Sequence, residues 1–462
     1  MPETGGEYAR ILSLARSGAT SQAWDIFVAA GLDRVDGDFD ALTLKGRLLK
    51  DRARQTVAHE RTTMFDLARN AYEQAAALRQ DSYPLINASA MALFAGDRVR
   101  SELLASKVLN LIESGADKGE TPYWCEATRA EALLLLGRQA DAAKSFQNAV
   151  EQAPTAWEDR AATLRQFALI AAQTNADVAW LDRFRPPAVL HYSGILGIAP
   201  DDQTAAKAIQ ATIEAIAPGF AFGALAAGAD IIAAEYLVAS GAELNVALPS
   251  DPSDFHLSSV APFGADWEQR FGALLDNANS VAVCGSNKGT SAAGVMLAEY
   301  HAMGMVAELA RQLETRAVAL RIEPAGRPVL GDLWLKSGRE IHLVEIEGNA
   351  GLPSAPLPKG ELVFDVAIDG APPETYPDLD EALEVLAKAG DQIAALDCRL
   401  DEHQRVRTLL AHGEAGMLVA SRSAALALLA SGAVGRVESL GEIATPAGSI
   451  DICLAKLTKS GG

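Results

Sequence analysis

The chain has 462 residues, of which 49% are hydrophobic, and a formal net charge of −20. This length predicts two to four domains, and the negative charge excludes nucleic acid as the main partner, because binding to phosphate backbones needs clustered Lys and Arg. No window reaches the roughly 18 consecutive apolar residues of a membrane span, and the N-terminus lacks a signal-peptide pattern, so we expect a cytoplasmic protein with no membrane contact.

Residues 1–183 are predicted to form an all-α domain, because apolar residues and alanines recur at three- and four-residue spacing. The clearest unit, residues 123–154, fits the roughly 34-residue tetratricopeptide template, with Gly137 at the turn and Phe146 on the second helix. A weaker copy aligns on Gly96. Such arrays bind other proteins, which predicts a scaffold with a protein partner. An ordinary helical bundle is the alternative.

Residues 184–350 are predicted to form a Rossmann-like α/β domain. Two prolines, Pro186 and Pro187, end the helical run. Six short apolar segments then alternate with helical segments, which is typical of a parallel sheet with helices on both faces. Ligands of such sheets bind beyond the carboxyl ends of the strands.

Residues 361–462 follow a Pro/Gly-rich linker and are predicted to form a small α+β domain. We expect a first strand at 361–369, a helix over 378–397, then a further strand and helix, and two closing strands.

Several loops of the central region are predicted to meet at the carboxyl edge of its sheet. The segment Gly285–Thr290 precedes a helix, so its backbone N–H groups favour an anion, although its spacing is not that of a P-loop. Ordinary strand-to-helix geometry is the alternative explanation for each glycine loop. The candidate ligand-binding residues are Ser193, Gly194, Gly223, Gly228, Asp230, Pro249, Arg270, Gly285, Asn287, Lys288, Gly289 and Thr290.

Some of these residues have simpler interpretations. Asp230 is interpreted first as a helix cap. Trp267, Arg270 and Phe271 repeat at helical spacing, which core packing of the two aromatic residues explains, although Arg270 can also contact a phosphate. Cys284 ends an apolar strand, so we interpret it as a buried, unreactive thiol and not as a nucleophile. No catalytic residue or metal ligand is predicted, because neither the four separated cysteines nor the histidines have metal-ligand spacing.

The central region resembles the SLOG superfamily, which includes the lonely-guy phosphoribohydrolases and the DNA-processing protein DprA. The matching residues are Gly228-Ala229-Asp230, Glu235, Gly241-Ala242-Glu243, Leu248-Pro249, Phe255, Ser259-Val260, Trp267 and Arg270-Phe271. The resemblance implies a nucleotide or an NAD-derived ligand. The phosphoribohydrolases carry a P-G-G-x-G-T-x-x-E loop, but here the third residue after Thr290 is Ala293, which favours binding without cleavage. A hydrolase in which Glu235 or Glu299 replaces the missing carboxylate is the alternative.

Both flanking regions carry resemblances as well. "PLINASAMALFAGD", "YWCEATRAEALLLLG" and "RAATLRQFALIAA" resemble TRAFs-binding, tetratricopeptide-like segments. The tail from residue 420 resembles the end of a class III nucleotide cyclase, but Asp365 and Asp369 lack the Asn-x-x-x-Arg arrangement that cyclases use, which implies an inactive relic. Together the resemblances imply a signalling or scaffold protein, and a purely structural interaction protein remains a further alternative.

Overall fold

The chain folds into two compact units, Met1–Pro186 and Pro187–Gly462. The structure is a computed structural model. It describes residues 8, 10–12, 14–15, 20–56, 58–117, 121–285, 289–326, 333–346, 357–413, 416–445 and 448–458.

The first unit is helical. Its helices are α1 (Thr20–Ala29), α2 (Phe39–Gln55), α3 (Ala58–Leu78), α4 (Ser82–Phe94), α5 (Arg98–Glu113), α6 (Pro122–Leu135), α7 (Gln139–Gln152) and α8 (Trp157–Thr174). Helices α2 to α7 pack as three successive hairpins, and α8 packs on α6. This is the predicted tetratricopeptide-like array.

Two of the hairpins have the same kind of turn, and each turn contains a glycine in the left-handed conformation. Gly96 has φ +90° and Gly137 has φ +74°, a conformation that glycine adopts without strain. In the second turn the amide of Arg138 donates to the carbonyl of Leu133 at 2.8 Å, which satisfies a helix-terminal acceptor. Phe146 is fully buried, as the repeat template predicts.

The second unit begins with a six-stranded sheet whose strands are all parallel. They are β1 (Ala188–Gly194), β2 (Pro218–Gly223), β3 (Glu243–Leu248), β4 (Ser280–Val283), β5 (Ala317–Pro324) and β6 (Glu340–Ile346). The strand order is β4-β3-β2-β1-β5-β6. From β1 the chain continues to β2 toward one edge of the sheet, and from β5 it continues to β6 toward the opposite edge. The neighbours β1 and β5 therefore form the topological switch point at which open α/β sheets bind ligands.

Helices cover both faces of this sheet, which confirms the predicted fold class. They are α9 (Gln203–Ile216), α10 (Ala229–Ala239), α11 (Pro252–Ser259), α12 (Ala265–Asp276), α13 (Ala292–Gln312) and the short α14 (Leu333–Lys336). Side chains of α9 and α10 share one apolar core with Leu190 and Tyr192 of β1. Helix α13 contacts β1, β2, β3 and β5, where Met303 meets Arg321 of β5.

A mixed sheet completes the second unit. Its elements are β7 (Val363–Ile368), β8 (Glu374–Tyr376), α15 (Leu379–Lys388), β9 (Ala394–Arg399), α16 (Val406–Leu410), β10 (Leu418–Ser421), α17 (Arg422–Ser431), β11 (Val434–Thr445) and β12 (Gly448–Leu457). The strand order is β11-β12-β10-β9-β7-β8, with β9 and β10 parallel and the other pairs antiparallel.

The helix predicted over 378–397 is wrong in its second half. Helix α15 stops at Lys388, before the left-handed Gly390, and Ala394–Arg399 is a strand between β7 and β10. Its residues are buried on both faces, and a short apolar run of this kind has no periodicity that separates strand from helix.

Helices α13 and α17 join the two sheets of the second unit. A Cβ on Gly304 would lie 2.4 Å from the carbonyl oxygen of Leu426, so glycine is needed for the close helix contact. Glu308 of α13 also accepts from Arg422 of α17 at 2.6 Å. The predicted domains 184–350 and 361–462 correspond to the two sheets, and the boundary between them stays a prediction.

Candidate functional site

The predicted ligand residues fall mainly at the carboxyl edge of the parallel sheet. Ser193 and Gly194 end β1, and Gly223 ends β2. Gly228 precedes α10, and Asp230 lies in its first turn. Pro249 follows β3, Gly285 follows β4, and Gly289 and Thr290 precede α13. The predicted residues Asn287 and Lys288 lie outside the described residues.

Asp230 connects the end of β1 to the loop before α10. Its Oδ1 accepts from the amide of Gly194 at 2.9 Å, and its Oδ2 accepts from the amide of Ala226 at 3.3 Å. The residue is only 6% exposed, and burial raises its pKa to about 7 although both backbone bonds act in the opposite direction. The carboxyl group therefore holds two loops together, which differs from the simple helix cap considered from the sequence.

The loop after β1 folds over the start of α10. The amide of Ala229 donates to the carbonyl of Ile195 at 3.1 Å. A Cβ on Gly228, which has φ +120°, would lie 2.7 Å from the same carbonyl oxygen. Close approach of the chain to itself thus accounts for this glycine.

A second group of predicted residues meets where β3 and β4 end. A Cβ on Gly285 would lie 1.8 Å from the carbonyl oxygen of Pro249, so the two loops touch through backbone. Thr290 is buried, and its hydroxyl lies 2.7 Å from that of Ser250 and accepts from Ser258 at 2.9 Å. The structure therefore brings Pro249, Gly285 and Thr290 together through neutral polar contacts.

The first turn of α13 donates to a distant part of the chain. The amide of Ala292 bonds to the carbonyl of Pro358 at 2.8 Å, and the amide of Ala293 bonds to that of Lys359 at 3.0 Å. The next amide donates to the side chain of Ser291 at 3.1 Å. These N–H groups, which an anion would need, have partners within the protein.

Sequence analysis missed Arg321, which lies on β5 beside Ser193 of β1. It is 3% exposed, and its Nη1 lies 3.1 Å from the Ser193 hydroxyl and 2.6 Å from Nδ1 of His191. Burial and the Arg321 charge lower the pKa of His191 well below its ordinary value, so the neutral ring accepts from the guanidinium. Glu299 of α13 lies 3.8 Å from the same guanidinium. The one available signal was a charge within the apolar segment "RAVALRIE".

The structure does not bring Arg270 to the cluster around Asp230. Arg270 donates to Glu235 through Nε at 2.7 Å and Nη2 at 2.5 Å, and it lies 4.2 Å from the ring centroid of Trp267.

Gly223 is explained by packing, because a Cβ there would lie 2.5 Å from the carbonyl oxygen of Tyr192.

The two aspartates of the cyclase resemblance are separated. Asp365 is fully buried on β7, where Arg399 donates to both carboxylate oxygens at 2.6 and 3.2 Å and Thr375 donates at 2.6 Å. Asp369 lies beyond the end of β7 and is exposed. Within the described parts of the chain, no group of three or more His, Cys, Asp or Glu is placed to hold a metal ion.

Polar side chains also meet inside the helical unit. Lys50 of α2 donates to Asn87 of α4 at 3.0 Å, and Gln166 of α8 donates to Glu131 of α6 at 3.0 Å. Burial lowers the pKa of Lys50 to about 8 and raises that of Glu131 to about 7.

Among the residues that the structure describes, no helix is both long and apolar enough to cross a bilayer.

Comparison with known proteins gives one family match. The model of a family described as Tetratricopeptide Repeats-Sensor matches residues 3–93, about a fifth of the chain. No curated protein sequence matches. The match covers α1 to α4 and supports the tetratricopeptide-like part of the prediction, so the helical repeats suggest a protein-interaction or scaffold role.

Proposed function

We propose that this chain is a ligand-responsive scaffold, in which the parallel sheet binds a nucleotide or nucleotide-derived molecule and the helical unit binds a protein. The observation that carries the ligand half is a buried cation at the topological switch point. Arg321 lies between β1 and β6, hydrogen-bonded to Ser193 at the end of β1. A buried guanidinium near a strand's carboxyl end supplies the charge that a phosphate or carboxylate group requires.

Thermal-shift measurements test this half with AMP, NAD, ADP-ribose and cyclic AMP, using adenosine and nicotinamide as uncharged references. A ligand at 100 times its Kd adds about 2.7 kcal/mol to the stability of the folded state, which raises Tm by several degrees. We expect the anionic compounds alone to raise Tm.

Two serine variants locate the binding site. Ser193→Ala removes a hydroxyl that orients Arg321 and should weaken binding by about tenfold, as expected for a hydrogen bond to a charged group. Ser240→Ala removes a hydroxyl at the end of α10, bonded to Leu237, and should bind as the wild type does. If no compound raises Tm, the result supports the alternative of a purely structural interaction protein.

The alternative function is cleavage of a nucleotide N-glycosidic bond. One observation favours Glu299 over Glu235 as its carboxylate, because Glu299 lies 3.8 Å from Arg321 whereas Glu235 is paired with Arg270. Free base or ribose phosphate released from AMP, and lost in Glu299→Gln, would establish a hydrolase. Binding without either product supports the sensor.

The protein-binding half rests on the helical hairpins. A protein recovered with the full-length chain should bind again when both are purified, and binding should weaken when Gly96 and Gly137 are both replaced by valine, because valine strains their left-handed turns. Gly241→Val is the matched control, since Gly241 has φ +86° and open space but lies in the second unit. Equal loss of binding in both variants would contradict recognition by the hairpins.

Finer assignments belong to the same proposal. They are the SLOG relationship of residues 184–350, a TRAFs-binding role for residues 1–183, a cytoplasmic signalling role, and an inactive cyclase-like relic at 361–462. The relic is supported by Asp365, whose two oxygens are committed to Arg399.

A further inference from the structure

A cavity of about 660 Å³ lies beside the mixed sheet, between α15 and α17. On the side of the sheet it is lined by Ala394 and Leu418, which are paired neighbours at the start of β9 and β10. Protein interiors are close-packed, and cavities of roughly 300–1,000 Å³ are the size at which proteins bind small organic molecules. The space between the two helices is therefore large enough for a ligand.

The walls of the cavity are mainly apolar. Helix α15 contributes Leu383 and Leu386, whose spacing of three residues places them on one face of the helix. Ala433, which follows α17, and Leu457 of β12 line the cavity as well. Leu383 and Leu457 are only partly buried, so a ligand that covered them would remove apolar surface from water. The cavity thus favours a ligand with an apolar body.

Most polar side chains of the lining already have partners. The hydroxyl groups of Thr458 and Ser431 donate to backbone carbonyls at 2.8 and 3.0 Å. Lys336 of α14 is paired with Asp380 of α15. These groups are satisfied within the protein, so they do not require a polar ligand.

Lys456 of β12 is suited to hold one charged head group. It lines the cavity although the residue is exposed, as expected when the methylene stem of a lysine lies along an apolar wall and its ammonium stays in water. Asp391, the other exposed charge of the lining, precedes β9, so β10 lies between the two. Within the part of the chain that the structure describes, neither charge forms an ion pair. Of the two, the lysine alone joins its charge to an apolar stem, so it can contact both the body and the head group of one ligand.

We propose that this cavity binds an apolar molecule with one anionic head group, of which a medium-chain carboxylic acid is the simplest example. The apolar chain lies between α15 and α17, over Ala394 and Leu418, and the carboxylate contacts the ammonium of Lys456. The site is separate from the proposed nucleotide site, because its lining belongs to the mixed sheet and α14. The two proposals are therefore independent of each other.

Isothermal titration calorimetry of the full chain tests the ligand class with octanoate, decanoate, decanol and decylamine, all below the concentrations at which they form micelles. Each buried methylene should tighten binding by about three- to fourfold, so decanoate should bind about tenfold more tightly than octanoate. Decanoate should bind about threefold more tightly than decanol, as expected for an ion pair at an exposed position.

Ala387→Phe and Glu384→Phe are the matched variants that locate the site. Ala387 lies on α15 and lines the cavity, so phenylalanine there should occupy part of it and weaken decanoate binding by at least about tenfold, the loss expected when two methylenes are excluded. Glu384 lies on the same helix outside the lining, and loss of its negative charge cannot weaken binding of an anion. Thermal unfolding of both variants checks that they fold as the wild type does.

Lys456→Met and Lys388→Met test the head group. Methionine keeps an apolar stem and removes the charge, so Lys456→Met should bind decanoate about threefold more weakly and decanol as tightly as the wild type does. Lys388 carries the same charge at the end of α15 but does not line the cavity, and its variant should bind both compounds as the wild type does.

Three results would overturn the proposal. Absence of decanoate binding contradicts a site for this class of ligand, and equal binding to the wild type and Ala387→Phe contradicts its location in the cavity. Tighter binding of decylamine than of decanoate, lost in Asp391→Asn, would assign a cationic head group instead. The nucleotide site is tested separately with AMP, so failure of one proposal leaves the other unaffected.

Discussion

The two sheets of the second unit both bury charged side chains, but they neutralise them differently. In the mixed sheet, Asp365 is paired with Arg399 through two hydrogen bonds, and Asp397, directly opposite on β9, accepts from Arg405 at 3.0 Å. At the carboxyl edge of the parallel sheet, the buried Asp230 of α10 accepts from the backbone N–H groups of Gly194 and Ala226.

This difference separates structural charges from charges available for function. A buried carboxylate with its own arginine is already neutralised and hydrogen-bonded, so it offers little to a ligand. A buried carboxyl group with a pKa of about 7, such as that of Asp230, can exchange a proton near neutral pH or respond to an added charge. The comparison therefore supports the proposed ligand site at the parallel sheet and predicts a mainly structural role for the charges of the mixed one.

The largest expected effect is loss of stability when the closed pair of the mixed sheet is broken. Arg399→Met leaves the Asp365 carboxylate buried without its cation, which should lower the free energy of unfolding by about 3–5 kcal/mol. Lys336→Met removes an exposed pair with Asp380 and should cost less than about 1 kcal/mol. Urea denaturation of the two variants measures both. Similar losses would show that the buried pair is not the stronger one.

Burial of Asp230 should make the stability of the second unit depend on pH. Its pKa is about 7 in the folded chain and 3.8 in the unfolded one. Between these values the unfolded chain has lost a proton that the folded chain keeps, so stability falls as pH rises, by about 1.4 kcal/mol per pH unit where the difference is one full proton. Asp230→Asn cannot titrate and should lack this decline. Urea denaturation from pH 4 to 8 measures the difference between the two proteins, and a constant difference would contradict the shifted pKa.

The fold of the parallel sheet was predictable because its strands are continuous apolar runs separated by helices with their own periodicity. The same argument placed Ser193, Gly194 and Asp230 at one edge, since parallel strands end together. It failed at β9, where a short apolar run follows α15 after only five residues, Ala389 to Ile393, and has no periodicity that separates strand from helix.

Contacts between distant residues were beyond this reasoning. Arg321 gave only an interruption in an apolar run, and its partners lie on another strand and on α13. The contacts of the Pro358 and Lys359 carbonyls cannot be predicted from the sequence, because every residue has a backbone carbonyl whatever its side chain. Tertiary packing alone decides such contacts.

Glycine substitution tests whether the carboxyl edge is as tightly packed as its contacts indicate. Gly285→Ala places a Cβ 1.8 Å from the Pro249 carbonyl oxygen, so the loops must separate, and stability should fall by about 1–3 kcal/mol. Gly272→Ala lies within α12 in open space and should instead stabilise by up to about 1 kcal/mol, because alanine favours helix. Thermal unfolding of both variants measures the difference, and a neutral Gly285→Ala would mean that the loops are not in contact.

The smallest expected effect concerns the neutral hydroxyl group of the same edge. Thr290→Val keeps the shape of the side chain but leaves the buried Ser250 hydroxyl without its partner, which should cost about 1 kcal/mol. Thr290→Ser keeps the hydroxyl and should retain most of that stability. Because no charge is involved, the loss should be the same at pH 5 and pH 8, in contrast to that of Asp230→Asn. A pH-dependent loss in Thr290→Val would show that this hydroxyl interacts with a group that titrates between pH 5 and pH 8, and would contradict a cluster held by neutral contacts alone.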